Sequence, residues 1–263
     1  MTDSKSAAQA PLIGVIGDDW QAALLAARLA ATGRRTLYHT LKSAPLPSHT
    51  PGLEAATPAD IAIECRALII AIDDTSCVRR LLLGTPDRAG LMHDLQPSTI
   101  VIDASIRPVR ETHALLGILG LRGIGLADAA LIGPPEAVAN GTMTVFAGGY
   151  PDAADLAEPI LAAFGRVERT GPLGSAQTAA ALMGYVEAAH VTARSEALAV
   201  GKALGLSPET LARVLQDAPD NANIVRLNRR ADLVRSLAEE KGLGAEIIDF
   251  QRRKAPLATP ENR

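Results

Sequence analysis

The chain has 263 residues, 48% of them hydrophobic and 21% charged, a globular balance that excludes bulk disorder, collagen and coiled coil. A net charge of −3 with no basic stripe argues against a duplex nucleic-acid partner, and one Trp, three Tyr and three Phe leave few platforms for stacking single strands. The core must be built of Ala, Leu, Ile and Val.

The opening MTDSKSAAQAP is small and polar and lacks the basic-then-apolar order of a signal peptide. Residues 1–10 read as a disordered tail. PLIGVIG is a β-branched run ending at Gly17 and predicts a buried first strand. AALLAARLAATG has helical spacing and stops at Gly33, a C-terminal cap. RRTLYHT is a second short strand, and residues 43–58, rich in Pro, Ser and Thr, read as loop. ALIIAID (67–73) and STIVIDAS (98–105) are buried strands, with a short helix at VRRLLLG between them. ETHALLGILG is helical, and GIGLADAALIG and GTMTVFAGG are strands. A helix over 153–165 and a strand at GRVERTG follow. Strands alternating with helices predict an α/β fold with a parallel, doubly wound sheet.

The character changes at Ser175. No proline occurs from there to about Leu204, and alanine dominates, which predicts one long helix. SPET after Leu206 starts another, with Pro at its first position. The remainder to about Gly242 reads as helical with a PDNAN loop. The chain therefore divides into an α/β domain (11–172), an all-helical domain (173–250) and a loose tail (251–263). The long helix is too apolar to be solvated alone, and a homodimer through the helical domain is expected.

Cys65 and Cys77 form no C-x-x-C pair and flank a strand, so they read as reduced, separate thiols of a cytoplasmic protein. Apolar runs are short or interrupted by charge, and no membrane span is expected. The five lysines are Lys5, Lys42, Lys202, Lys241 and Lys254. Any chemistry between Lys42 and Lys202 proceeds without an ammonium group. His190 has no second His or acid at i+4 on its face, so a zinc site is not supported, and no metal is expected.

The order of parts resembles the β-hydroxyacid dehydrogenase family, which includes 3-hydroxyisobutyrate dehydrogenase and is related to 6-phosphogluconate dehydrogenase. The resemblance runs from about residue 12 to about 216. Its best stretch is DAALIGPPEAVANGTMTVFAGG (Asp128–Gly149), where the family has D-A-P-V-S-G-G, a spacer, G-T-L-T and a terminal G-G. ALIIAIDDTSCVRRLLLG, VIDASIRP and GPLGSAQTAAALMG support it. The resemblance implies a Rossmann-like dinucleotide-binding domain, a long helix and a small helical domain. It also implies NADP or NAD as cofactor. Cofactor contacts fall on Gly14, Gly17, Asp19, Trp20, His39, Thr40, Ile72, Asp73 and Ser105, and substrate contacts on Ile132 and Gly133.

At each functional position the sequence departs from the family pattern. In the phosphate loop, G-x-I-G-L-G-x-M-G becomes Gly14-Val15-Ile16-Gly17-Asp18-Asp19-Trp20-Gln21-Ala22. Two carboxylates stand near the expected pyrophosphate, unless one of them caps the following helix. At the end of the second strand, His39 and Thr40 carry no fixed positive charge, which leaves NAD against NADP open. The Ser-Gly-Gly that holds the substrate becomes Ile132-Gly133-Pro134, in which Ile has no donor and Pro no N–H. The catalytic Lys and Asn fall on Ala180 and Gly184. Gln177, Tyr185 and Glu187 are the remaining polar candidates: Gln177 and Glu187 share the face of Ala180, and Tyr185 points about 140° away.

The expected function is an atypical NAD(P)-dependent oxidoreductase without the family's Lys and Asn. Its small-molecule substrate would be a carbonyl or imine less anionic than a hydroxy acid. The alternative is a non-catalytic descendant serving as a binding, regulatory or accessory subunit.

Overall fold

The run IGVIG folds as a fully buried strand, β1 (Ile13–Gly17). In the computed structural model, which describes residues 11–42, 50–72, 74–105 and 107–216, α1 (Trp20–Ala31) and β2 (Thr36–Thr40) follow it. α1 is capped by Thr32, and Gly33 then takes a φ of +81°, a left-handed turn that glycine adopts without strain. Next come β3 (Leu53–Ala55), α2 (Pro58–Glu64), β4 (Ala67–Ala71) and α3 (Thr75–Leu83). A small antiparallel hairpin, β5 (Gly84–Thr85) and β6 (Arg88–Ala89), leads to β7 (Ile100–Asp103) and α4 (Val109–Gly120). Then follow β8 (Gly125–Ile132), α5 (Pro135–Asn140), β9 (Met143–Gly149), α6 (Pro151–Leu161) and β10 (Gly165–Gly171). α7 (Ser175–Ala203) and α8 (Pro208–Gln216) end the described chain.

The main sheet has the order β10-β9-β8-β7-β4-β1-β2-β3. Alternation along each strand feeds two cores. Ile13, Val15, Ile69 and Ile102 face α1 and α6, while Ile16, Leu68, Ile70 and Val101 face α2, α3 and α4. Both faces being covered explains why these strands read as continuous apolar runs.

The sheet is parallel from β3 through β8, but β8 and β9 are antiparallel, so β9 and β10 run against the rest. This corrects the wholly parallel expectation. The link from Gly133 to Thr142 holds only the six-residue α5, shorter than the roughly dozen residues a parallel crossover needs. The loop expected over 43–58 is corrected in part: Leu53–Ala55 pairs in parallel with β2, and α2 begins at Pro58. A capping box starts α2, with Thr57 and Asp60 bonding each other's backbone, so T-P-A-D carried an unread helix signal. The helix expected at 153–165 lies two residues earlier at its start, because Pro151 takes the first helical position. It ends at Leu161, with Pro159 in its last turn.

The chain divides into two compact units inside α7, between Leu182 and Met183. In the first, the opening turn of α7 is buried at Ala176 and Gln177. In the second, α7 and α8 touch closely: a Cβ on Gly201 would stand 2.3 Å from Leu211 Cδ2. The expectations for residues 1–10, for Asp73 and for everything past Gln216 lie outside the described residues. Among the described residues no helix is long and apolar enough to cross a membrane.

Candidate functional site

The crevice of a doubly wound sheet lies at the carboxyl ends of its parallel strands. At the end of β1, Gly17 is a glycine by necessity, since a Cβ would meet Ala22 Cβ at 2.0 Å and the Ala71 carbonyl at 2.9 Å. It lets α1 approach the strand end. Asp19 is the N-cap of α1: its Oδ1 accepts from the backbone N–H of Gln21 (2.9 Å) and Ala22 (3.3 Å). The capping alternative is therefore the one the side chain adopts. Asp18 pairs with Lys42 at 2.9 Å, and Trp20 is exposed. Gly14 is different. It is buried within β1, where a Cβ would meet Ile61 Cγ2 at 2.2 Å, so it serves the packing of α2 rather than the crevice.

At the end of β2, His39 Nδ1 contacts the Ala56 carbonyl at 2.9 Å, and the Thr40 hydroxyl donates to the Lys42 carbonyl. Beside them opens a cavity of about 540 Å³. Its walls include His39 and Leu41 from the end of β2, Cys77, Arg80 and Leu81 from α3, and Arg88 from the small hairpin. Asp74 caps α3 through the N–H groups of Ser76 and Cys77, and the bond from the Ser76 hydroxyl first, with these backbone bonds, holds its carboxyl below the usual range. Both cysteines are free thiols. Burial pushes Cys65 up to about 12, whereas Cys77 borders the cavity.

Between β4 and β7, Ser105 is fully engaged: its Oγ accepts from the Ile72 N–H (3.0 Å) and donates to the Ile70 carbonyl (3.3 Å). Sequence reasoning missed its neighbour Arg107. This guanidinium is buried, lies 2.7 Å from the equally buried Asp103 carboxylate and reaches the Ile72 carbonyl at 3.5 Å. Burial pushes the Asp103 carboxyl up against the opposing pull of Arg107. The two residues stand four apart, a spacing that signals a pair on a helix, whereas here Asp103 ends β7 and Arg107 precedes α4.

The start of α7 is tied to β8. Asp128 accepts from the N–H groups of Gly174 (2.7 Å) and Gln177 (3.0 Å). Burial raises its pKa while those N–H donors lower it, and the net direction is up. Gln177 is not available as a proton carrier. Its Oε1 accepts from Thr112 (3.0 Å) and its Nε2 donates to the Ser105 carbonyl (3.3 Å), all buried. Ile132 and Gly133 close β8, with Ile132 opposite Thr144. Ala180 is half-buried on α7, and Gly184, Tyr185 and Glu187 are exposed on the same helix.

Residues 13–180 match the family described as the NAD binding domain of 6-phosphogluconate dehydrogenase. The chain belongs to the β-hydroxyacid dehydrogenase family. Relatives include the L-threonate dehydrogenase of Cupriavidus necator, 29% identical over 65% of this chain and 57% of the relative. Another is the NAD-dependent L-serine dehydrogenase of Pseudomonas aeruginosa, 29% identical over 63% of this chain and 55% of the relative. The match thus spans about half the length of these curated relatives. Among solved structures, the Myxococcus stipitatus imine reductase in complex with NADP+ superposes with a TM-score of 0.78 at 16% identity. That superposition covers 92% of this chain and 91% of the other, and it speaks to fold.

A nicotinamide dinucleotide, the family's ligand, can be tested against these residues. Its adenosine end fits: the cavity at the end of β2 joins apolar walls to two guanidinium groups. The diphosphate end meets a competitor, because Asp19 already accepts from two N–H groups of the first turn of α1.

Proposed function

We propose that the chain is an atypical NAD(P)-dependent oxidoreductase acting on a small carbonyl or imine substrate less anionic than a hydroxy acid. The observation that carries this reading is the 540 Å³ cavity at the end of β2 on a dinucleotide-binding sheet. A bound nicotinamide would supply or accept the hydride. The chain's own residues do the rest. Ser105 fixes the ends of β4 and β7 to each other through Ile70 and Ile72. Ile132-Gly133-Pro134 offers a substrate no side-chain donor, which disfavours a carboxylate. With Ala180 and Gly184 at the family's Lys and Asn positions, the proton comes from water, Tyr185, Glu187 or the substrate itself. We place the protein in the cytoplasm as a homodimer through its helical domain, a reading supported by exposed Leu182, Val186 and Val191 on α7.

Asp19 favours a second reading, a non-catalytic descendant with a binding or accessory role, since its carboxylate sits on the N–H groups a phosphate would use. Titration with NADPH and NADH, followed by assays of imine and carbonyl reduction, separates the two. Micromolar binding with turnover supports the enzyme. Absence of binding at millimolar cofactor overturns it in favour of the second reading.

A further inference from the structure

Cofactor choice in this family depends on what meets the ribose 2′-position, and here the usual place for a cationic reader is bare. From Lys42 to Arg66 the sequence contains no lysine or arginine. Lys42 itself is engaged by Asp18 at 2.9 Å. Arg34 and Arg35 precede β2 at the opposite end of the strand, where Arg34 bonds the Pro159 carbonyl and Arg35 lies 3.7 Å from Glu54. The strand end supplies only His39 and Thr40.

The cavity beside that strand end is nevertheless cationic. Arg80 enters its wall from α3 and Arg88 from β6, and no carboxylate borders it among the described residues. Arg80 is steadied by a hydrogen bond to Ser76 Oγ at 3.0 Å, and the nearby Asp74 carboxylate, which caps α3, also feels its charge. Leu41, Pro58, Leu81 and Leu91 give the wall an apolar stretch, and His39, Thr57 and Thr85 add neutral polar groups. An aromatic base against the apolar wall, with a phosphate on its ribose facing two guanidinium groups, satisfies both halves of this lining.

We propose that Arg80 and Arg88 read the adenosine 2′-phosphate, so that the protein selects NADP(H) over NAD(H) from α3 and the hairpin rather than from the loop after β2. This rests on the proposed function, because it needs a nicotinamide dinucleotide in that cavity. Each guanidinium–phosphate contact contributes roughly a tenfold or larger share of affinity, because charge-assisted bonds are the strong ones.

The test is fluorescence titration of the wild type, R80A, R88A and the double variant with NADPH and NADH. Both side chains are exposed, so the variants keep the fold, and unchanged melting temperatures check this. The expected result is NADPH binding at least tenfold tighter than NADH in the wild type. The double variant loses that margin and keeps its NADH affinity within about twofold. The wild-type NADPH affinity falls more steeply with salt than the NADH affinity. Equal or NADH-favouring binding in the wild type, or a preference that survives the double substitution, overturns the assignment and leaves the oxidoreductase reading standing. Failure of both dinucleotides to bind overturns both.

Discussion

Asp19 shows how one side chain can decide a ligand's grip. Its carboxylate accepts from Gln21 and Ala22 at the end of α1 that a diphosphate would occupy. Asp19→Gly frees those N–H groups and removes a negative charge. Glycine is itself an adequate cap, so helix stability changes by only a few tenths of a kcal/mol. NAD(P)H affinity is expected to rise about fivefold, a partly exposed charge being worth about 1 kcal/mol against a phosphate. A gain that shrinks at high salt assigns the effect to charge, and a salt-independent gain assigns it to the space the side chain takes. Weaker binding in the variant would mean that Asp19 contacts the nucleotide directly.

Arg107 poses the opposite problem, a cation whose value is to a buried anion. Asp103 is buried and its pKa is already raised. Arg107→Met leaves that carboxyl uncompensated, at an expected cost of about 3–5 kcal/mol near neutral pH. The sign with pH follows from proton binding. A folded-state pKa above the unfolded value means that the folded state binds the extra proton between the two, so stability falls as pH rises through that window. The penalty of Arg107→Met, measured by urea unfolding, should therefore be smaller at pH 4–5 than at pH 8. An equal penalty at both would sink this account.

Among the elements, β1, β2, β4, β7 and α7 were legible in the sequence because burial on both faces or unbroken alanine spacing leaves one reading. The reversal of β9 was not legible, although the short Gly133–Thr142 link held the clue. The site was legible only in outline. Gly17 and Ser105 sit at strand ends, whereas Gly14 packs under Ile61 and Gln177 is locked in place. Arg107 escaped because its partner stands four residues away on a strand end, whereas that spacing signals a pair only on a helix. Gly148, the first of the paired glycines at 148–149, has a physical reason. A Cβ on Gly148 would stand 2.4 Å from Asp128 Oδ1 and 2.7 Å from Ser175 Oγ, so the glycine leaves room for the carboxylate that caps α7. Asp128→Asn, which can accept through only one oxygen, should lower unfolding free energy by about 1–3 kcal/mol. Gly148→Ala should do at least as much by displacing Asp128. Chemical denaturation reads both, and an unchanged midpoint in either would show that α7 is anchored elsewhere.

At the scale of the molecule, the proposed absence of the family's Lys–Asn pair bears on which substrate the dinucleotide sheet serves. The relatives are named for oxidising L-threonate and L-serine. A hydroxy acid must lose its hydroxyl proton during hydride transfer and needs a donor for its carboxylate. The side chains of Ile132 and Pro134 supply no such donor, and those of Ala180 and Gly184 supply no base. Loss of a general base typically slows a reaction about 10²–10⁴-fold. L-threonate, L-serine and 3-hydroxyisobutyrate should therefore be turned over at that much below ordinary enzyme rates. An iminium substrate carries its proton already and needs only the hydride, so cyclic imines with NADPH should be the better test compounds. Introducing Ala180→Lys together with Gly184→Asn and Ile132→Ser should raise hydroxy-acid oxidation and leave imine reduction little changed. Ordinary hydroxy-acid turnover by the wild type would show that α7 carries its catalytic groups at positions other than Ala180 and Gly184. No gain from the triple variant, with fold and cofactor binding intact, would count against the proposed roles of these three positions.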